Sequence, residues 1–214
     1  MRKILILFLF SAMLMTVFAE EESNKAKNLL KHDFSQLGKN GLPVGFKAYL
    51  GKDKKGIVSV SQEDGVNVVK LERPEQGRIY FDNKKLNLQA NKKYVLTVQV
   101  KIENQKYSGK GIHFFYVCVY NTGNGKHIYN KIAGHGSTGG WLTVILPIDT
   151  IKNPKLVGAK MLLRGYGVAG TYWLKNPMLV EIPSDVELKS HYILDNNKTI
   201  PGAFLRLGTL SKLK

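Results

Sequence analysis

Apolar and polar side chains alternate along most of this chain. Between residues 94 and 102 the even positions are Tyr, Leu, Val, Val and Ile, whereas positions 97, 99 and 101 are Thr, Gln and Lys. A period of two with many β-branched residues predicts a strand that is buried on one face. Similar patterns predict nine further strands, at residues 45–50, 57–61, 66–71, 78–81, 111–120, 127–132, 142–148, 155–166 and 170–174.

The segments between these predicted strands carry turn-forming residues. Gly, Asn and Asp are concentrated at residues 63–65, 121–125 and 134–140. Many short strands at regular spacing, with almost no helical periodicity, predict an all-β protein, namely a jelly-roll β-sandwich of about ten antiparallel strands. Residues 111–120 are apolar on both faces, so we predict a central strand there whose outer face is also covered or binds something.

The first nineteen residues differ from the rest of the chain. Arg2 and Lys3 precede an apolar run over residues 4–18, which ends at Ala19 before three glutamates. This layout is typical of a secretory signal peptide, and the run is shorter than the ~20 residues that a membrane-spanning helix needs. We expect a signal peptide at 1–19, a β-sandwich domain at 20–182 and a basic C-terminal extension at 183–214. The protein is then exported (secreted, periplasmic or cell-surface) without a stable membrane anchor, the alternative being an uncleaved N-terminal anchor.

The chain is strongly basic. Its formal charge is +16, and loss of Arg2 and Lys3 with the leader would leave +14, since residues 1–19 hold no acid. Such a charge indicates either a solvated basic surface or an anionic partner, such as an acidic cell-surface polymer. Export and the lack of a basic helix or zinc motif argue against nucleic acid. The single cysteine, Cys118, lies in an apolar stretch and is predicted to be a buried small hydrophobe.

Several segments form a recognisable series when they are taken in order. They are NLL and DF at 28–34, PVGF at 43–46, LQANKKYVLTVQVK at 88–101, GW and LP at 140–147, and GTYW with NPML at 170–179. The series resembles the galactose-binding-like jelly rolls, above all carbohydrate-binding modules of the family 4 and 9 type, over about residues 28–182. The resemblance implies a polysaccharide or glycan as partner and no catalysis.

The same resemblance bears on a structural calcium ion. The family often has acidic residues where this chain has Ser35 and Lys175-Asn176. Calcium takes several carboxylate or carbonyl oxygens, and a lysine at one of these positions repels it. We therefore expect no cofactor and little stabilisation by calcium.

Sugar recognition uses flat aromatic faces for stacking and a few polar groups that read hydroxyls. The period of two indicates which side chains point out of the predicted sandwich. It predicts a cleft of four tyrosines with three polar readers, and its members are Arg78, Tyr80, Gln99, Tyr116, Tyr120, Arg164 and Tyr166. Each tyrosine has rim packing as its alternative role, and Trp141 and Trp173 are assigned to structure because they lie beside strand starts.

The sequence does not favour an enzyme. A glycosidase needs two converging carboxylates, whereas the acids here are few and scattered in lysine-rich loops. The five histidines show no metal-ligand spacing. The leading hypothesis is an exported, non-catalytic carbohydrate-binding module whose glycan could be neutral or anionic. A jelly roll that serves as a scaffold for protein contacts is the second hypothesis, and a polysaccharide lyase is the third.

Overall fold

The computed structural model describes residues 27–83, 85–106, 114–121, 126–132, 137–187 and 191–194. Within this part of the chain no helix is long and apolar enough to cross a membrane. The elements are β1 (Phe46–Tyr49), β2 (Ile57–Glu63), β3 (Val66–Asn83), β4 (Lys93–Lys106), β5 (Phe114–Asn121), β6 (Lys126–Ile132), β7 (Leu142–Asp149), a 3-10 helix (Pro154–Gly158), β8 (Lys160–Ile182) and β9 (His191–Leu194).

Two long strands, β3 with 18 residues and β8 with 23, run through both layers of the sandwich. The first half of β3 pairs with β2 and the second half with β1, while β8 runs antiparallel along both halves. β5 pairs with the first part of β8, and β4 pairs with the later part. Hydrogen bonds join all nine described strands into one continuous network. We divide it where β3 and β8 change partners: sheet A contains β1, the end of β3, the start of β8, β5 and β6, and sheet B contains β2, the start of β3, the end of β8, β4, β7 and β9.

The core lies between the two sheets and follows the predicted alternation. On β4, Leu96, Val98, Val100 and Ile102 are all buried in one cluster that spans the molecule. Aromatic rings join the layers, because Phe115 of sheet A stacks on Tyr172 of sheet B with ring centres 4.5 Å apart. Each fully buried side chain of this size contributes about 1.5–3 kcal/mol of hydrophobic stabilisation.

The passage of β3 from one sheet to the other is built around Arg73. The register of β3 against β8 shifts between Arg73 and Gly77, so the strand bulges at this corner. Arg73 is only 3% exposed, and its two terminal nitrogens donate to the two carboxylate oxygens of Asp53 at 2.8 and 2.5 Å. A Cβ at Gly77 would lie 2.2 Å from the Arg73 guanidinium, so only glycine leaves room for the ion pair.

The corner of β8 faces the corner of β3. Arg73 is opposite Gly170, which has φ of +146°. A Cβ at this glycine would come within 3.0 Å of the Gln105 backbone on β4. Both the backbone angle and the close approach of two strands therefore require glycine here.

The structure confirms the predicted all-β jelly-roll class, with nine strands in the described part of the chain rather than about ten. The predicted strands 66–71 and 78–81 are two halves of β3, and 155–166 and 170–174 belong largely to β8. The difference arises because Gly and Pro at the corners look like loop residues in the sequence, although the strands continue through them. β5 pairs on both sides, as expected of a central strand.

The predicted start of the strand 155–166 is wrong, because the strand begins at Lys160. Residues 154–158 form a 3-10 helix, which begins at Pro154 and buries Leu156. Proline favours the first turn of a helix, since its fixed φ fits and its missing N–H would have no partner there. The apolar Leu156 and Val157 were thus mistaken for strand residues.

The predicted domain boundaries stay predictions. The predicted signal peptide at 1–19 lies outside the described residues. Inside the predicted C-terminal extension, β9 pairs with β7 and adds an edge strand to sheet B. Part of the extension therefore belongs to the sandwich.

Replacement of Gly77 by alanine should destabilise the protein by about 1–3 kcal/mol, the usual cost of an overpacked site. The new methyl group would push the Arg73 guanidinium away from Asp53. Urea unfolding measures the loss, and Gly140→Ala is the control, since a Cβ there meets nothing within 4 Å. Equal stability of Gly77→Ala and wild type would show that the corner tolerates a side chain.

The Arg73–Asp53 pair should also make stability depend on pH in the acid range. The hydrogen bond from Arg73 lowers the pKa of Asp53 from 3.8 to about 2. A lowered folded-state pKa stabilises the fold above about pH 4, and this contribution is lost as the pH falls to about 2. The difference in Tm between wild type and Asp53→Asn should therefore shrink over that range. Asp64→Asn, at the exposed turn between β2 and β3, is the matched control and should lower the Tm little at any pH.

Candidate functional site

The outer side of sheet A carries a cluster of arginine and tyrosine side chains, which we call the Arg–Tyr face: Tyr49, Arg78, Tyr80, Arg164 and Tyr166. The strand register brings them together, because Tyr80 is opposite both Tyr49 and Arg164, and Arg78 is opposite Tyr166. Their neighbours along the strands, such as Ile79, point inward and are fully buried. The predicted outward direction of four of these side chains thus agrees with the structure.

Tyr166 is the centre of this face. The guanidinium groups of Arg78 and Arg164 both lie 4.6 Å from its ring centre. Arg78 also donates a hydrogen bond to the Tyr166 hydroxyl at 3.0 Å. Arginine over an aromatic ring is a favourable cation–π geometry, so the two cations are held at fixed positions on the surface.

A second ring pair extends the face toward the edge strand β1. The Tyr49 and Tyr80 rings stack with centres 4.5 Å apart and an angle of 14° between their planes. Burial raises the pKa of the Tyr80 hydroxyl, and the nearby Asp82 carboxylate raises it further. Tyr80 is therefore neutral at physiological pH and can donate or accept a hydrogen bond.

The charge around this face is positive. Besides Arg78 and Arg164, β1 contributes Lys47 and β8 contributes Lys160, and both lysines lie near the carboxylate of Asp82. Asp82 is 1% exposed and accepts a hydrogen bond from the Lys160 ammonium at 2.6 Å. Because Asp82 neutralises only one of these four cations, the described part of this surface carries an excess of positive charge.

The remaining predicted residues are placed as follows. Tyr116 and Tyr120 lie on β5 opposite Arg164 and Lys160, so their backbone belongs to sheet A, and their side chains lie outside the described set. Gln99 is not near the Arg–Tyr face. It lies on β4 in sheet B, where its amide oxygen accepts a hydrogen bond from Asn176 at 2.8 Å. The structure therefore does not assemble all seven predicted residues into one cleft.

Sequence reasoning missed a second cluster, on the outer side of sheet B. We call it the Trp–Lys face: Lys70, Lys101, Trp141, Trp173 and Lys175. Lys101 is opposite Trp173, which is opposite Lys70. The Lys101 ammonium lies 4.4 Å from the Trp173 ring centre, and the Lys175 ammonium lies 4.2 Å from that of Trp141. Trp141 and Trp173 are half-buried, and their predicted structural role stays a prediction. The signal was available, because Trp173 alternates with the core residues Tyr172 and Leu174.

A groove of about 720 Å³ opens beside the Trp–Lys face. Amide and hydroxyl groups of Gln62, Thr97, Gln99, Thr143 and Asn176 line it, together with the apolar side chain of Met178 and parts of the segment 28–35. More of the lining surface is apolar than polar, and no lysine or arginine lines the groove. Gln99 belongs to this second surface.

The described residues offer little for catalysis. Cys118 is 4% exposed, and burial raises the pKa of its thiol to about 12, so it stays protonated at neutral pH. A protonated thiol is a poor nucleophile. No group of three His, Cys, Asp or Glu side chains that could hold a metal ion occurs in the described ranges.

Comparison with known proteins gives structural matches only. No protein-family profile and no curated protein matches the sequence. The xylan-binding CBM22-1 domain of Xyn10C from Paenibacillus barcinonensis matches at 15% identity and a TM-score of 0.46, over 73% of this chain and 96% of that one. A family 29 carbohydrate-binding module matches at 16% identity and a TM-score of 0.38, over 71% of this chain and 90% of that one. The enzymatically active domain of tailspike protein 4 from bacteriophage CBA120 matches at 12% identity and a TM-score of 0.47, over 65% of this chain and 20% of that one.

These matches include carbohydrate-binding modules, the class that the sequence resemblance predicted. Membership in family 4 or 9 stays a prediction. At such identities and TM-scores the matches say nothing about the ligand of this chain, so the functional argument rests on its own residues.

Calcium should not stabilise this protein. Ser35 donates its hydroxyl hydrogen to Asp33, and the Lys175 ammonium lies 3.3 Å from Glu63, so an ammonium stands where the family often has an acid. These residues do not fit a calcium site. A specific site would raise the Tm with ion concentration. We expect no rise with millimolar calcium, and a rise that a chelator reverses would contradict this prediction.

Proposed function

We propose that this protein is an exported, non-catalytic glycan-binding module whose ligand lies across the Arg–Tyr face. The observation that carries the proposal is the position of Tyr166 between two guanidinium groups, beside the stacked Tyr49 and Tyr80 rings. Tyrosine rings offer flat apolar surfaces for pyranose rings, and their hydroxyls can pair with sugar hydroxyls. The resemblance of the sequence to carbohydrate-binding modules makes glycans the first ligand class to test.

The charge of the Arg–Tyr face supports an anionic glycan. Guanidinium groups bind carboxylate and sulfate in a bidentate manner, and they do so more specifically than an ammonium group does. Arg78 is exposed and Arg164 is half-buried, so both side chains border solvent. A uronate or sulfated sugar can therefore place its ring against the Tyr49–Tyr80 pair and its anion against an arginine.

The same face supports binding rather than hydrolysis. Glycoside hydrolysis uses two carboxyl groups on opposite sides of the scissile bond. The described carboxylate of this face, Asp82, is 1% exposed and paired with Lys160. A buried and neutralised carboxylate cannot reach a glycosidic oxygen.

Replacement of Arg164 by alanine should weaken binding of an acidic polysaccharide by about 1–3 kcal/mol, since a charge-assisted hydrogen bond is lost. Arg164→Lys should recover only part of this loss, because an ammonium cannot form the bidentate contact. Isothermal titration calorimetry with polygalacturonate or alginate oligosaccharides measures the affinity. Lys39→Ala, an exposed loop substitution, is the control for net charge and should bind like wild type.

Salt provides an independent check of the same prediction. Exposed charge pairs are screened beyond about 8 Å at physiological ionic strength, so the wild-type affinity should fall as salt rises and the Arg164→Ala affinity should fall less. Thermal unfolding identifies variants that have lost their fold. Equal losses for Arg164→Ala and Lys39→Ala would contradict the proposed site. Absence of binding to any glycan would favour a protein-interaction scaffold.

A further inference from the structure

We propose that the Trp–Lys face of sheet B, with the groove beside it, is a second glycan site, and that its ligand is a neutral linear glycan. This site goes beyond the proposed function, because it lies on the other sheet of the sandwich and shares no side chain with the Arg–Tyr face. One molecule would then hold two glycan chains of different charge, one on each side.

The strand register places two indole rings in one row across the sheet. Lys101 is opposite Trp173, and Val100 is opposite Leu142, so Trp141 lies level with Lys101 on the outer side. Trp141 and Trp173 are thus separated by two strand spacings, about 10 Å. A linear glycan that crosses the strands can stack two of its rings on this row, with one sugar between them over Lys101.

The lysine contacts to the indoles do not prevent stacking. Trp141 and Trp173 are both half-buried, so part of each ring borders solvent. The Lys101 ammonium lies 5.9 Å from one ring centre and 4.4 Å from the other, so it stands between them. The Lys175 ammonium lies 4.2 Å from the Trp141 ring centre, so each indole already has a half-buried lysine against part of its surface. A sugar hydroxyl on the remaining surface can accept a hydrogen bond from the same ammonium groups.

The charges of this face indicate a neutral ligand. Each lysine has a nearby glutamate: Lys70 lies 2.7 Å from Glu72, Lys175 lies 3.3 Å from Glu63, and Lys101 lies 3.5 Å from Glu103. Three ammonium and three carboxylate groups cancel, in contrast to the excess of cations on the Arg–Tyr face. An acidic polymer would approach the three glutamates at a cost, whereas sugar hydroxyls can donate to them and accept from the lysines.

The groove supplies polar readers next to the row of rings. Gln99 and Thr143 line it, and Gln99 is opposite Lys175 of the Trp–Lys face. Its volume of about 720 Å³ falls in the range of small-ligand sites. Amides and hydroxyls both donate and accept, which suits the hydroxyl groups of an uncharged sugar. None of the five residues of the Trp–Lys face lines the groove, which adjoins that face where Gln99 pairs with Lys175.

The test compares two variants on two probes. The variant Trp141→Ala/Trp173→Ala and the variant Arg164→Ala are titrated with neutral oligosaccharides (linear β-glucan, xylan and mannan) and with polygalacturonate. The tryptophan variant should lose at least tenfold in affinity for its best neutral ligand and keep its affinity for the acidic one. Arg164→Ala should do the reverse. Trp141→Tyr/Trp173→Tyr, which keeps flat rings, should retain most of the neutral binding and guards against a folding defect.

A capture experiment tests simultaneous binding. Wild type should retain labelled polygalacturonate on immobilised neutral glycan, and the variants Trp141→Ala/Trp173→Ala and Arg164→Ala should both lose this retention. The second site would be overturned if the wild-type protein bound no neutral glycan. It would also be overturned if the substitution of both tryptophans by alanine left the affinity for the neutral glycan unchanged. A dimer in solution that the same substitutions dissociate would also overturn it, since the face would then contact a second copy. If the wild-type protein binds the neutral glycan but not polygalacturonate, the proposed function at the Arg–Tyr face is wrong and the second site is supported.

Discussion

The architecture depends on two strands that do not end where the sandwich turns. β3 and β8 lie side by side in sheet B, pass the corner together and continue side by side in sheet A. At the corner the strand loses its regular backbone hydrogen bonds, so nearby residues must fix its direction. In β3 this residue is Arg73, whose buried guanidinium pairs with Asp53 and occupies the space that a side chain at position 77 would fill. In β8 it is Gly170, which has a positive φ. Each strand that pairs with β3 or β8 takes its position from this pair.

The same two strands explain why both outer faces carry chemistry. β3 contributes Lys70 to one face and Tyr80 to the other, and β8 contributes Trp173 and Arg164 in the same way. Since side chains alternate along a strand, burial of one face of each half dictates that the opposite side chains meet solvent. A single continuous strand pair thus presents two separate rows of side chains. The net charge of each row is set by its own neighbours, Asp82 on sheet A and the three glutamates on sheet B.

Periodicity could predict which side of a strand is buried but not which sheet the strand joins. It therefore predicted the outward direction of Arg78, Tyr80, Arg164 and Tyr166 and placed Gln99 with them, although β4 lies in sheet B. The sheet of a strand depends on pairings between residues far apart in sequence, which a local pattern does not contain. The corner was missed for a related reason: Pro74 and Gly77 are loop-forming by local propensity, and the Arg73–Asp53 contact that keeps β3 continuous spans 20 residues. The structural role of Trp141 and Trp173 stays a prediction, and their position beside strand starts contained no information about their exposure.

The positions of the two faces on opposite sides of the sandwich limit how two bound glycans could increase the overall affinity. Avidity on a single polymer requires that one chain reach both sites, and it vanishes where geometry forbids this. A glycan lying on sheet A would have to bend around the edge of the sandwich to reach sheet B. The core of stacked rings such as Phe115 and Tyr172 separates the two faces, so two sites placed there would be independent and would bind separate chains. Such a geometry would favour bridging between polymers over tighter binding to one polymer, and the difference in charge between the faces would determine which two kinds of polymer are joined.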